Sequence, residues 1–121
     1  MKKILIIEDD KDISGMYRQK LEMAGFEVAQ EYDGKKAQML VKNTLPDLVL
    51  LDIILGGKVN GFDILEDIRR DPRTKNILVL VLTNLETEEK VAKEIGANEY
   101  VIKANTTPGD LVQKIKSMVG L

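Results

Sequence analysis

Asp47-Leu48-Val49-Leu50-Leu51-Asp52 is a run of four apolar residues closed at each end by a carboxylate. The second of these acids decides the reading, because a charged group abutting so hydrophobic a segment is costly unless it is paired or metal-bound. Short apolar runs with β-branched residues also recur at Ile4 to Ile7, Ile77 to Leu82 and Tyr100 to Ile102, each bounded by polar or Gly-containing turns. These are strand signals. The run at 77–82 has no polar alternation, which is how a strand covered on both faces of a parallel sheet reads. Phe26 to Glu31 is a weaker fifth candidate, expected at an edge.

Between the strands, apolar residues fall at helical spacing: Ile13, Met16, Tyr17, Leu21 and Ala24, then Ala37, Leu40 and Val41. The first helix is expected to stop at Gly25. Ile64, Leu65 and Ile68 mark a third helix, Val91, Ala92 and Ile95 a fourth, and Leu111, Val112, Ile115, Met118 and Val119 a fifth. Thr107 and Pro108 suit the N-cap and first turn of the last helix, and Asp10 reads as the cap of the first. The fourth helix carries Glu86, Glu88, Glu89, Lys90, Lys93 and Glu94 around few apolar positions, so it is the least anchored and the candidate moving part. Five strands alternating with five helices predict an α/β fold, a doubly wound parallel sheet with right-handed crossovers, forming one domain over 1–121.

Composition agrees. A chain of 121 residues with 44% apolar and 31% charged residues has the length and balance of one globular core. The four apolar residues after Met1-Lys2-Lys3 are too few for a signal peptide or a membrane span, so a cytoplasmic protein without membrane association is expected. There is no Cys and no His, which removes thiol and imidazole chemistry and leaves carboxylates, hydroxyls and lysine. Net charge is −2 and the basic pairs are scattered, so no direct nucleic-acid binding is expected.

In doubly wound sheets the ligand crevice lies outside the carboxyl ends of the strands. Those ends carry Glu8, Asp9 and Asp10 after the first strand, Asp52 after the third, Thr83 and Asn84 after the fourth, and Lys103 after the fifth. Neighbouring residues within a strand point to opposite faces, so Glu8 and Asp9 can share a site only where the strand gives way to a turn, as it does there. Carboxylates with backbone carbonyls and water form the hard oxygen environment that Mg²⁺ prefers. Asp52 can then act as ligand and nucleophile, attacking a phosphoryl group whose equatorial charge is neutralised by Mg²⁺, Lys103 and Thr83.

Competing motifs fail on the letters. A phosphate-cradling loop needs G-x-x-x-x-G-K-[ST], but Gly57-Lys58 is followed by Val59 and has Asp52 in place of the first glycine. An EF-hand starting at Asp10 would place Leu21 where the bidentate Glu belongs. An aspartate-nucleophile phosphatase carries D-x-D, whereas Ile54 stands two after Asp52, and a flavin site lacks its Ser/Thr-rich loop after the first strand.

K-I-L-I-I-E-D-D, D-L-V-L-L-D, V-L-T-N and Y-V-I-K, in that order along the chain, resemble the signature segments of bacterial two-component response regulator receiver domains, the CheY-like family. The resemblance implies a flavodoxin-like three-layer sandwich with strand order 2-1-3-4-5. It implies phosphorylation of Asp52 by a histidine kinase or phosphotransfer protein, with Mg²⁺ bound directly by Asp9, through water by Glu8, and by Asp52 and the Ile54 carbonyl. Thr83 and Tyr100 would be the switch pair, and helix four, strand five and helix five the output face. Such a module is a signalling switch rather than an enzyme, acting on a downstream protein partner or on an output domain not present in this chain. The alternative is a degenerate receiver that binds a partner independently of phosphorylation.

The chain departs from the family pattern in two places. Gly56 stands where Pro is common, and Gly61 comes nine rather than eight residues after Asp52, which makes the loop 56–61 one residue longer and more flexible. Ala104, not Pro, follows Lys103, and a cis bond before a non-proline residue costs about 2.5–4 kcal/mol, so a trans peptide is expected. Ile54 and Leu85 occupy positions that in the family flank the route of hydrolytic water; both are bulky and apolar, so a long-lived acyl phosphate is expected.

Overall fold

In the computed structural model, which describes residues 1–57 and 59–121, β3 (Leu48–Leu51) is hydrogen-bonded on both sides. Its four residues pair in parallel with Ile4 to Ile7 of β1 (Lys3–Ile7) and with Leu78 to Val81 of β4 (Leu78–Thr83). β2 (Glu27–Glu31) lies beyond β1 and β5 (Glu99–Ile102) beyond β4, so the order is β2-β1-β3-β4-β5 and all neighbours are parallel. The helices are α1 (Lys11–Met23), α2 (Gly34–Thr44), α3 (Gly61–Arg70), α4 (Glu89–Ile95) and α5 (Pro108–Met118). The expected fold class and strand order are therefore observed, with β2 at an edge. Thr83, expected just past the fourth strand, is instead the last residue of β4, paired with Ile102; the strand begins one residue later than its apolar run.

The period-2 alternation of each strand divides the core into two layers. Leu5, Ile7, Val49, Leu51, Val79 and Val81 face α2, α3 and α4, whose Ala37, Val41, Ile64, Leu65, Ile68 and Ala92 cover them. Ile4, Ile6, Leu48, Leu50, Leu80 and Leu82 face α1 and α5 through Tyr17, Leu21, Leu111, Val112 and Ile115. Burial of each such side chain contributes roughly 1.5–3 kcal/mol relative to exposure, which is what holds a sheet with no polar face. The predicted caps are present: Asp10 accepts from the amides of Asp12 and Ile13, and Thr107 from that of Asp110 with Pro108 in the first turn. α1 ends at Met23, and Gly25 takes the positive φ of 98° that turns the chain into β2. α4 has no side-chain cap and buries only Ala92 fully, in keeping with its expected weak anchoring.

Two tertiary contacts position the strand ends. Arg69 donates from Nε to the Gly96 carbonyl (2.9 Å), from Nη1 to the Ile77 (2.6 Å) and Lys75 (2.9 Å) carbonyls, and from Nη2 to Asn98 Oδ1 (2.9 Å). None of these partners is a carboxylate; the guanidinium ties α3 to the turns that start β4 and β5. At the opposite end, Gly61 approaches the backbone just past β3 so closely that a Cβ would lie 2.4 Å from the Asp52 carbonyl oxygen and 2.5 Å from Ile53 Cα. The amide of Gly61 also donates to the Ile53 carbonyl at 2.9 Å. Lys58, in the loop expected to be longer and more flexible, lies outside the described residues. Gly61→Ala is expected to destabilise the fold by about 1–3 kcal/mol, as overpacking does, because the obstructing atoms are main chain. Urea unfolding checks this, and an unchanged midpoint would mean that the approach is not tight.

Candidate functional site

β1 and β3 are the strands at which the sheet order reverses, and their carboxyl ends open into a common crevice. The Asp52 amide donates to the Ile7 carbonyl (3.0 Å), carrying the sheet ladder one residue past β3 and setting Asp52 beside the turn that begins at Glu8. Glu8, Asp9 and Asp52 each offer a carboxylate oxygen, and these atoms lie within 4.8 Å of one another. Glu8 and Asp52 are buried, at 4% and 7% exposure, whereas Asp9 is exposed at the rim.

Backbone amides and one ammonium hold the acids. Asp52 Oδ1 accepts from the Ile54 amide at 3.1 Å, Asp9 Oδ2 from the Gly56 amide at 3.0 Å, and Glu8 Oε2 from the Asp10 amide at 3.3 Å. Lys103 Nζ donates to Asp52 Oδ2 at 2.8 Å and also to Glu8 Oε1. Lys103 opens a 3₁₀ turn, Lys103–Asn105, directly after β5, and its peptide to Ala104 is trans, as no cis bond occurs among the described residues.

Thr83 is fully buried at the end of β4 and lines the same cleft as the acids, Lys103, Ile54 and Asn84. Tyr100 is not in the cleft. Its ring is buried, and its hydroxyl donates to the Leu85 carbonyl, while the Leu85 amide donates to Thr83 Oγ1 at 3.4 Å. The two switch candidates thus meet through the backbone of one residue. Of the two apolar residues expected to screen the site from water, Ile54 lines the cleft with an exposed side chain, whereas Leu85 is half-buried and packs against the core. Sequence reasoning missed Tyr17, which lines a small void beneath Glu8 and Asp52; its helical spacing marked it only as core. It also missed Asn84 as a contact of the Lys103 turn, since its Oδ1 accepts from the Ala104 amide at 3.1 Å.

The charges shape the titration. Desolvation raises the Glu8 pKa above the ordinary glutamate value and outweighs the hydrogen bond from Lys103. For Lys103, desolvation acts downward, but the hydrogen bonds to Asp52 and Glu8 prevail and hold it raised. A carboxyl with a raised folded pKa contributes most stability below its unfolded value and loses it as pH climbs through the folded one. The raised Lys103 contribution is instead complete below the ordinary lysine range and fades only above it. In metal-free buffer, Glu8→Gln should therefore gain stability relative to wild type as pH rises past the ordinary glutamate range. Urea midpoints across that range check this, and a difference running the other way would contradict it.

The three acids form an all-oxygen donor set, at present offset by a single ammonium, and could hold a divalent metal. No helix among the described residues is long and apolar enough to cross a membrane.

Residues 4–116 match the family model described as the response regulator receiver domain. The chain is 45% identical over 105 residues, 85% of its length, to the DNA-binding dual master transcriptional regulator RpaA of Synechocystis, of which the match covers 43%. It thus spans about half the length, or less, of the curated relatives it matches. Among solved structures it is similar to the signal receiver domain of a DNA binding response regulator protein from Colwellia psychrerythraea, with 32% identity, TM-score 0.87 and both chains covered completely. It is also similar to the BeF3-activated N-terminal receiver domain of Klebsiella pneumoniae RstA, with 29% identity, TM-score 0.88 and 98% of each chain covered. Fold, strand-end acids and family match agree, and the chain belongs to the response regulator receiver domains of two-component systems.

Proposed function

We propose that Asp52 accepts a phosphoryl group from a histidine kinase or phosphotransfer protein, and that the modified carboxylate shifts the surface formed by α4, β5 and α5 toward a partner-binding state. One observation carries this reading: a buried carboxylate shares a lysine ammonium with Glu8 and lies within ligand distance of a second acidic loop. The activated form named for the RstA receiver supports the same kind of switching.

An Asp52 carboxylate oxygen forms a bond to phosphorus while the donor imidazole nitrogen departs with the electron pair of the broken P–N bond. Lys103 Nζ faces the oxygens that gain charge, and the Thr83 hydroxyl and Ile54 amide are donors at the same mouth. Asp9, Glu8, Asp52 and the Ile54 carbonyl would hold Mg²⁺, which neutralises phosphoryl charge when bound. Each event consumes one acceptor carboxylate, so the domain works as a switch rather than a turnover catalyst. When the Thr83 hydroxyl turns toward the phosphoryl group it leaves the Leu85 amide, and the Leu85 carbonyl is the group that holds Tyr100. That change biases an existing equilibrium of the weakly anchored α4. The receiving surface belongs to a separate protein or to an output domain of a longer regulator.

Incubation with acetyl phosphate and Mg²⁺, followed by intact-mass measurement, tests the reading: one added phosphoryl group, absent without Mg²⁺, is expected. Ile54 lines the cleft beside Asp52 and in this reading screens the acyl phosphate from water, so replacing Ile54 by Asn and Leu85 by Gln should speed dephosphorylation, with most of the gain from Ile54 because Leu85 is turned inward. An unchanged phosphate half-life in the double variant would refute the screening role.

A further inference from the structure

Asn84 follows Thr83 immediately, and its Oδ1 accepts from the Ala104 amide at 3.1 Å, extending the link between β4 and β5 beyond their last pair, Thr83 and Ile102. Ala104 follows Lys103 immediately, inside the short 3₁₀ turn that launches the lysine toward Asp52 and Glu8. That turn has no side-chain cap of its own, and its closing bond, from the Thr106 amide to the Lys103 carbonyl, is long at 3.3 Å. Because residue 104 is not proline, its amide is available as a donor, and among the described hydrogen bonds Asn84 is the side chain that takes it.

Resting on the reading of Asp52 as phosphoacceptor, we propose that Asn84 is a positioning residue: it fixes the trans turn that aims Lys103 across the acid pair, and it couples the Thr83 loop to that ammonium. The coupling follows from connectivity. A shift of the β4 end that brings Thr83 to a phosphoryl oxygen carries Asn84 with it, and Asn84 holds the amide that follows Lys103. A long lysine side chain loses much rotamer freedom when held at one point, so a fixed backbone launch determines how often Nζ sits at Asp52. An Asn at this place is otherwise an exposed polar residue whose exchange would be neutral.

The test uses Asn84→Leu, which keeps the size but removes the acceptor, and Asn84→Asp, which keeps the acceptor. Expected for Asn84→Leu are a melting temperature lowered by a few degrees at most, faster hydrogen exchange at the Ala104 amide, and Asp52 phosphorylation by acetyl phosphate slowed about threefold to tenfold, the scale of one hydrogen bond. Asn84→Asp should restore slow exchange at the Ala104 amide, while the carboxylate it adds at the mouth opposes the anionic donor and keeps uptake below wild type. If wild type is phosphorylated and Asn84→Leu matches it in rate and in Ala104 exchange, this inference falls while the phosphoacceptor reading stands. The inference falls likewise if the Ala104 amide exchanges as fast in Asn84→Asp as in Asn84→Leu, since the side-chain acceptor would then not matter. A wild-type chain that takes up no phosphoryl group overturns both.

Discussion

Asp52→Asn is expected to remain folded and to take up no phosphoryl group, a fall of about three orders of magnitude or more, as follows from removing a nucleophile. The substitution is nearly isosteric, but it is not silent locally. Both oxygens of Asp52 face donors, the Ile54 amide at 3.1 Å and Lys103 Nζ at 2.8 Å. An asparagine can offer oxygen to only one of them and must turn its NH₂ toward the other, a mismatch worth about 1–3 kcal/mol. Circular dichroism and a urea midpoint would confirm the fold, and intact mass after acetyl phosphate treatment would read the loss. If the Asn variant gained the same mass as wild type, another side chain would be the acceptor. If neither gained mass, the domain would act through phosphorylation-independent contacts.

Lys103→Met separates binding from chemistry. The ammonium bridges Glu8 and Asp52, so its removal should slow phosphoryl uptake by about 10²–10³, the usual effect of losing one donor to developing oxyanion charge. The same change should tighten Mg²⁺ binding. Three carboxylates and one ammonium sum to −2, and without the ammonium they sum to −3. One unit of charge a few ångströms from a divalent ion in a water-accessible crevice is worth about 1–2 kcal/mol, roughly fivefold to thirtyfold in affinity. Calorimetric titration with Mg²⁺ beside the phosphorylation rate tests both halves. Weaker Mg²⁺ binding in the variant would mean that Lys103 organises the acids rather than competing for them, and an unchanged rate would remove it from the transfer step.

These effects turn on residues whose legibility in the sequence differed. Asp52, Glu8 and Asp9 could be read because each follows an apolar run, and a run of that length and composition fixes where the strand stops. Lys103 could be read for the same reason, although that it contacts both acids could not. Apolar character ends the fourth strand at Leu82, whereas the ladder to Ile102 carries it one residue further and includes Thr83. Leu85 matched Ile54 in letters and spacing but not in direction: one packs on the core and the other lines the cleft. Residue type carries no information about which way a loop side chain turns.

Period and composition alone determined that the chain is a doubly wound parallel sheet with its acids at one mouth, because the alternation of buried residues is a local property of each element. Tertiary structure alone decided that Arg69 binds the carbonyls of Lys75, Ile77 and Gly96, that Gly61 lies against the backbone of Asp52 and Ile53, and that Asn84 reaches Ala104. Each of these contacts ends on a backbone group of another segment, and a backbone carbonyl is the same in every residue and an amide in every residue but proline. The letters therefore cannot mark which of them will meet; only the assembled sheet brings them within reach.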